Sequence, residues 1–179
     1  MEYVSLGATC AVANHLKTIK RYPFDWCKIN INQLNKVLFN NFIDFNNIKY
    51  FKTSLEHKYL ESNNASIIVK NKYNITFAHE IINKYNIDIF KQKLNKRINQ
   101  FINLKKPYFI RFEYGKQKKN YNKEFIKLIN SLDSQYDNYK LLLIIPHDWN
   151  INYNNVYFYN DKFIDWKYDN VFNKAFYNL

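Results

Sequence analysis

Cys10 is the residue whose neighbours most suggest chemistry. Tyr3-Val4-Ser5-Leu6 is a short apolar run that reads as a buried strand. It breaks at Gly7, one of only two glycines in the chain. The pattern restarts as a helix, with Val12, Leu16 and Ile19 spaced by four and three. Thr9 suits an N-cap, which places Cys10 in the first helical turn. The N–H groups and positive dipole end found there favour an anion, so the thiol is expected to ionise more readily than a free one. A strand, a glycine, a cysteine and a helix in that order make a seat for a nucleophile. The competing reading is a cysteine that packs as a small apolar side chain.

A nucleophilic thiol needs a base, and four histidines are available. His15 lies five residues beyond Cys10 on the same helix and points away from the end that carries the thiol. His57 falls in a polar, irregular stretch. His79 follows a β-like run and is followed by Glu80. His147 follows a buried strand and precedes Asp148, which makes it the rival. Asp25 sits between Phe24 and Trp26 in the turn Tyr22-Pro23-Phe24-Asp25-Trp26. A carboxylate among aromatics must be hydrogen-bonded or paired. It either caps local backbone N–H groups or orients an imidazole.

These residues need elements to hold them. The pattern predicts a helix over 32–42, two β-like runs over 65–69 and 73–77 around Asn71-Lys72, and an amphipathic helix over 87–104. On that helix Phe90, Leu94, Ile98 and Phe101 form one face, and Lys91, Lys93, Lys96 and Arg97 a solvated basic one. Residues 45–58 read as irregular. A strand over 108–112 carries Arg111 near its end, a helix spans 122–132, and 139–145 is the strongest buried strand. A shorter strand over 156–159 and a helix over 169–179 close the chain. Apolar strands alternating with amphipathic helices argue for a single α/β domain over 1–179, three-layered, with a mostly parallel central sheet. The strands near 3–6, 108–112 and 140–145 are expected to be parallel neighbours, with an irregular, hairpin-bearing insert at about 43–86. In such sheets ligands bind beyond the C-terminal strand ends. Cys10, Arg111 and His147 all follow or end strands, so one sheet edge could gather them, with His79 joining from the insert.

The chain has 179 residues, 47% of them apolar and 19% aromatic, which argues for a packed core and against disorder. The N-terminal residues run into a strand pattern without a basic n-region or cleavage site, and no apolar run nears the ~18 residues of a membrane span. Two cysteines 17 positions apart do not suggest a disulfide framework, so a reducing, cytoplasmic setting is expected. The net charge of +12 comes from 27 basic against 15 acidic residues, and only Arg21, Arg97 and Arg111 are arginines. Richness in Asn, Ile, Lys and Tyr matches AT-rich codons, so the charge has two readings, compositional or functional. A basic chain still binds polyanions weakly. There is no zinc-finger spacing, P-loop or Gly-rich dinucleotide turn, and no metal or cofactor is expected.

Three blocks, Ser5-Leu6-Gly7-Ala8-Thr9-Cys10, Tyr22-Pro23-Phe24-Asp25-Trp26 and Phe77-Ala78-His79-Glu80, resemble the signature blocks of the family DUF1796, described as papain-like cysteine peptidases. The resemblance extends over roughly the whole chain. It implies Cys10 as nucleophile and His79 as base; Glu80 stands where an Asp would be expected. The family label also implies an alternative architecture, a papain-like α+β fold with a helical half and an antiparallel barrel-like half. The expected chemistry is acyl transfer. Cys10 attacks a carbonyl, His79 shuttles the proton, and backbone N–H groups near Gly7 to Ala11, Thr9 within them, form the oxyanion hole. Asp25 or Glu80 orients the imidazole, and Trp26, Arg111 and His147 contact the substrate, Arg111 through an anionic part. That substrate would be a small molecule, a glycan or a peptide. Two other function classes fit the composition: a glycan or nucleotide-sugar binding domain in which Cys10 is merely packed, and a lysine-rich nucleic-acid binder.

Overall fold

The computed structural model describes residues 2–8, 10–16, 20–52, 67–77, 86–114, 121–146, 152–160, 172 and 174–175. In chain order the elements are β1 (Glu2–Ser5), α1 (Ala11–Leu16), β2 (Cys27–Lys28), α2 (Ile31–Phe39), β3 (Ile48–Lys52), β4 (Ile67–Asn71), β5 (Thr76–Phe77), α3 (Ile87–Ile102), β6 (Pro107–Phe112), α4 (Tyr121–Asp133), β7 (Lys140–Ile145) and β8 (Val156–Asn160).

Four strands form a parallel sheet in the order β1-β6-β7-β8. Val4 lies opposite Phe109, and Arg111 opposite Leu143. The central strands β6 and β7 are apolar almost throughout because both of their faces are covered. Side chains alternate across each strand. Phe109, Leu141, Leu143 and Ile145 join the larger core beneath α2, α3 and α4. Tyr108, Ile110, Phe112, Leu142 and Ile144 face the other way, onto Val12 of α1 and onto Phe172 and Ala175 near the C-terminus. The three-layer α/β arrangement with parallel neighbours is therefore found.

The helices form for reasons legible in the chain. Asn30 and Gln33 close a reciprocal capping box at the start of α2, and Leu34, Val37 and Leu38 turn inward. In α3 the buried face is Phe90, Leu94, Ile98 and Phe101, as expected. Arg97, assigned to the solvated face, is buried instead.

The segment between β1 and β6 carries a second sheet, antiparallel, in the order β2-β5-β4-β3. The expected hairpin is β4 and β5, with Asn71 Oδ1 accepting from the N–H groups of Tyr73 at 3.0 Å and Ile75 at 3.1 Å. Residues 48–52, expected to be irregular, form β3 because β4 supplies a hydrogen-bonding partner along its whole length. The C-terminal helix lies mostly outside the described residues; Phe172, Lys174 and Ala175 are helical. No helix among the described residues is long and apolar enough to cross a membrane.

Candidate active site around Cys10

β1 leads into two consecutive residues with left-handed backbone, Gly7 at φ +78° and Ala8 at φ +82°. Such a pair swings the chain sharply from strand to helix. Glycine takes this conformation freely, whereas alanine does so at a cost of about 1–2 kcal/mol. Gly7 is also required by contact: a β-carbon there would lie 2.3 Å from Ile29 Cγ2 and 3.4 Å from the Phe24 carbonyl oxygen. Its N–H donates to Ser5 Oγ at 3.1 Å. Ala8 accepts from the Ile29 N–H at 3.4 Å. The segment from Phe24 to Ile29 is thus packed beneath the turn that presents Cys10.

Cys10 stands just before α1, and its carbonyl accepts the Asn14 N–H at 2.9 Å. It is half-buried, whereas Cys27 is sealed in the core with its thiol donating to the Phe24 carbonyl at 3.2 Å. Burial pushes the Cys10 thiol above its ordinary value, while its own backbone N–H pulls the other way. Burial acts against the expected ready ionisation. Desolvation outweighs that backbone hydrogen bond, so burial favours the protonated thiol. Burial also pushes the Cys27 thiol up, with the Asp25 charge adding to it.

Asp25 closes its own turn. Its Oδ2 accepts the Tyr22 N–H at 2.8 Å, and its N–H donates to the Tyr22 carbonyl at 3.2 Å. At 3% exposure its carboxyl is pushed up to about 6, chiefly by burial, against the Tyr22 N–H and the charges of Arg97 and Arg21. Asp25 thus makes the backbone-capping contact of the first alternative. Trp26, also in a left-handed conformation at φ +60°, is half-buried, with the Arg21 guanidinium carbon 5.8 Å from its ring centroid.

Arg111 does not reach toward a ligand. Its side chain is fully buried. Nη1 donates to the Leu6 carbonyl at 2.7 Å, Nη2 to the Ile29 carbonyl at 3.0 Å, and Nε to Glu113 Oε1 at 2.8 Å. Nη2 meets the same carboxylate oxygen. Tyr121 Oη donates to Glu113 Oε2 at 3.3 Å. Where a substrate anion was expected, the guanidinium faces inward, engaged by the Leu6 and Ile29 carbonyls and by Glu113. Glu113 and Tyr121 were not singled out in the sequence. The Arg-x-Glu spacing was the available signal, since residues two apart on an extended chain share a face.

Thr9, His57, His79, Glu80 and His147 lie outside the described residues. What is described is the approach to His79. Phe77, two residues earlier, is the last residue of β5 and pairs with Cys27 of β2. His15 stacks on Phe172, with ring centroids 4.8 Å apart, on the opposite face of the parallel sheet from Arg111. Among the described residues no cluster of His, Cys, Asp and Glu could hold a metal ion.

A family model described as "Putative papain-like cysteine peptidase (DUF1796)" matches residues 1–148. No curated protein and no solved structure matches the chain.

Proposed function

Because the chain belongs to the DUF1796 family, we propose that it is a cysteine-dependent hydrolase or acyltransferase with Cys10 as nucleophile and His79 as base. One observation carries this reading. Cys10 is the half-exposed cysteine, and it follows β1 on a tight left-handed turn at the C-terminal edge of a parallel sheet. The antiparallel pairing of Phe77 with Cys27 supports His79, because it brings the strand end preceding that histidine against the segment that underlies the Cys10 turn.

Burial favours the protonated form of Cys10, which suits a base that removes its proton as sulfur attacks. His79 takes the proton from Sγ while Sγ bonds to the carbonyl carbon, and then delivers it to the leaving group. The second half runs the same way with water, or an acceptor, as the attacking group. The Gly7 N–H is turned inward to Ser5, so the oxyanion is assigned to later N–H groups of the turn, that of Cys10 first. Asp25 is held by Tyr22, which favours Glu80 as the acid beside the imidazole.

Alkylation tests the assignment. Iodoacetamide should modify Cys10 and leave Cys27 untouched in the folded protein. His79→Ala should slow modification of Cys10 at neutral pH, and His147→Ala should leave it nearly unchanged. The opposite pattern would transfer the role to His147, and no effect from either would remove the base from the proposal.

A further inference from the structure

The Arg111–Glu113 pair lies directly behind the turn that carries Cys10, and its bonds are distributed in an informative way. One guanidinium nitrogen holds the carbonyl of Leu6, the residue before Gly7. Another holds the carbonyl of Ile29, whose N–H holds Ala8. Ile29 is therefore pinned on both sides, and the side chain that limits Gly7 is the same residue's. Glu113 fixes the guanidinium in plane through Nε and Nη2, and Tyr121 orients Glu113. Three segments distant in sequence, at Leu6, Ile29 and Arg111, meet at one planar cation.

Stability alone is a poor reason for this arrangement. A buried ion pair contributes little net stability, and apolar side chains of similar volume often serve as well or better. What an arginine adds is direction: its donors point along set lines in one plane, which a lysine's do not. We propose that Arg111 and Glu113 are positioning residues that set the depth at which the Cys10 thiol sits, by locking the carbonyls of Leu6 and Ile29 on either side of the Gly7–Ala8 turn. The role in catalysis rests on Cys10 being the nucleophile; the positional claim does not.

The consequence is measurable on the thiol itself. Burial is what raises Cys10, so a turn released from its clamp lets water in and moves the thiol back toward its ordinary value of 9.0. The experiment is the pH profile of Cys10 alkylation, read by peptide mass spectrometry on the folded chain. Arg111→Lys keeps the charge and loses the fork. The double variant Arg111→Met/Glu113→Leu removes both charges together and so leaves neither alone in the core. In both, the midpoint of the profile should fall toward the ordinary value, and the rate near neutral pH should rise. Iodoacetate and iodoacetamide should be affected equally, because Arg111 faces away from the reagent.

A lowered melting temperature with an unmoved midpoint in either folded variant would reduce the pair to a structural role. A change in the ratio of the two reagents would return Arg111 to the substrate side. If Arg111→Lys does not fold, the double variant decides alone. Loss of the nucleophile reading would show separately, as acyl-substrate turnover that survives Cys10→Ala, and would leave the midpoint shift standing.

Discussion

Ile29 Cγ2 stands 2.3 Å from the point where a β-carbon on Gly7 would be. The two residues are far apart in sequence, and their contact makes the turn before Cys10 a packed object rather than a free loop. Ile29 is buried, and both its N–H and its carbonyl are engaged, to Ala8 and to Arg111. It has little room to yield.

Gly7→Ala should therefore be costly, on the order of 2–4 kcal/mol in urea unfolding, from a left-handed backbone and an overpacked contact acting together. Ala8→Gly at the adjacent left-handed residue should be neutral or stabilising by up to about 1 kcal/mol. Equal effects at the two positions would contradict the geometry of the turn.

Asp25 should make stability fall as pH rises. Its folded carboxyl titrates at about 6 against an ordinary 3.8, so the folded state favours the protonated form. The contribution is fully present below pH 3.8 and is lost as pH climbs through 6. Asp25→Asn keeps an acceptor for the Tyr22 N–H and carries no charge. It should flatten stability across that window and be more stable than the parent at pH 7, by up to about 3 kcal/mol. Unfolding free energies at pH 4 and pH 7 for both proteins decide this.

The two thiols should separate by access and by pH. With a small alkylating agent, Cys10 should react progressively faster as pH rises toward and beyond 9, since burial raises its thiol. Cys27 should react only under denaturing conditions, being enclosed and bonded to the Phe24 carbonyl. Equal labelling of both in the native protein would place Cys10 in the core as well.

Phe24→Ala should be among the most damaging apolar truncations. The ring is fully buried and packs on Phe42, Phe45 and Phe101, while its carbonyl lies under Gly7 and accepts from Cys27. A loss of about 3–5 kcal/mol is expected. Because the same segment underlies the Cys10 turn, a folded Phe24→Leu variant should alter Cys10 labelling as well. Unchanged labelling there would show that the turn is held without the aromatic cluster.

The amino-acid sequence by itself determined the layers. Apolar runs at 108–112 and 140–145 require cover on both faces, and helices with one apolar stripe, such as α2 and α3, provide it; parallel pairing follows from the helical connection between β6 and β7. The break at Gly7 was also legible, because a strand pattern that turns into a helix pattern needs a sharp corner. The direction of each polar side chain was not. Arg111 on an apolar strand read as a charge free to meet a ligand, and only the convergence of Leu6, Ile29 and Glu113 around it made it a clamp. Arg97 likewise read as solvated from its lysine neighbours, yet it is buried near enough to Asp25 for its charge to act on that carboxyl. The state of Cys10 was decided in the same way. A helix end argues locally for an easily ionised thiol, but depth in the fold is a sum over distant packing, and here burial pushes the thiol up. Spacing along the chain specifies which elements form and which faces they bury; which charges and thiols are enclosed depends on segments that meet only once those elements have packed.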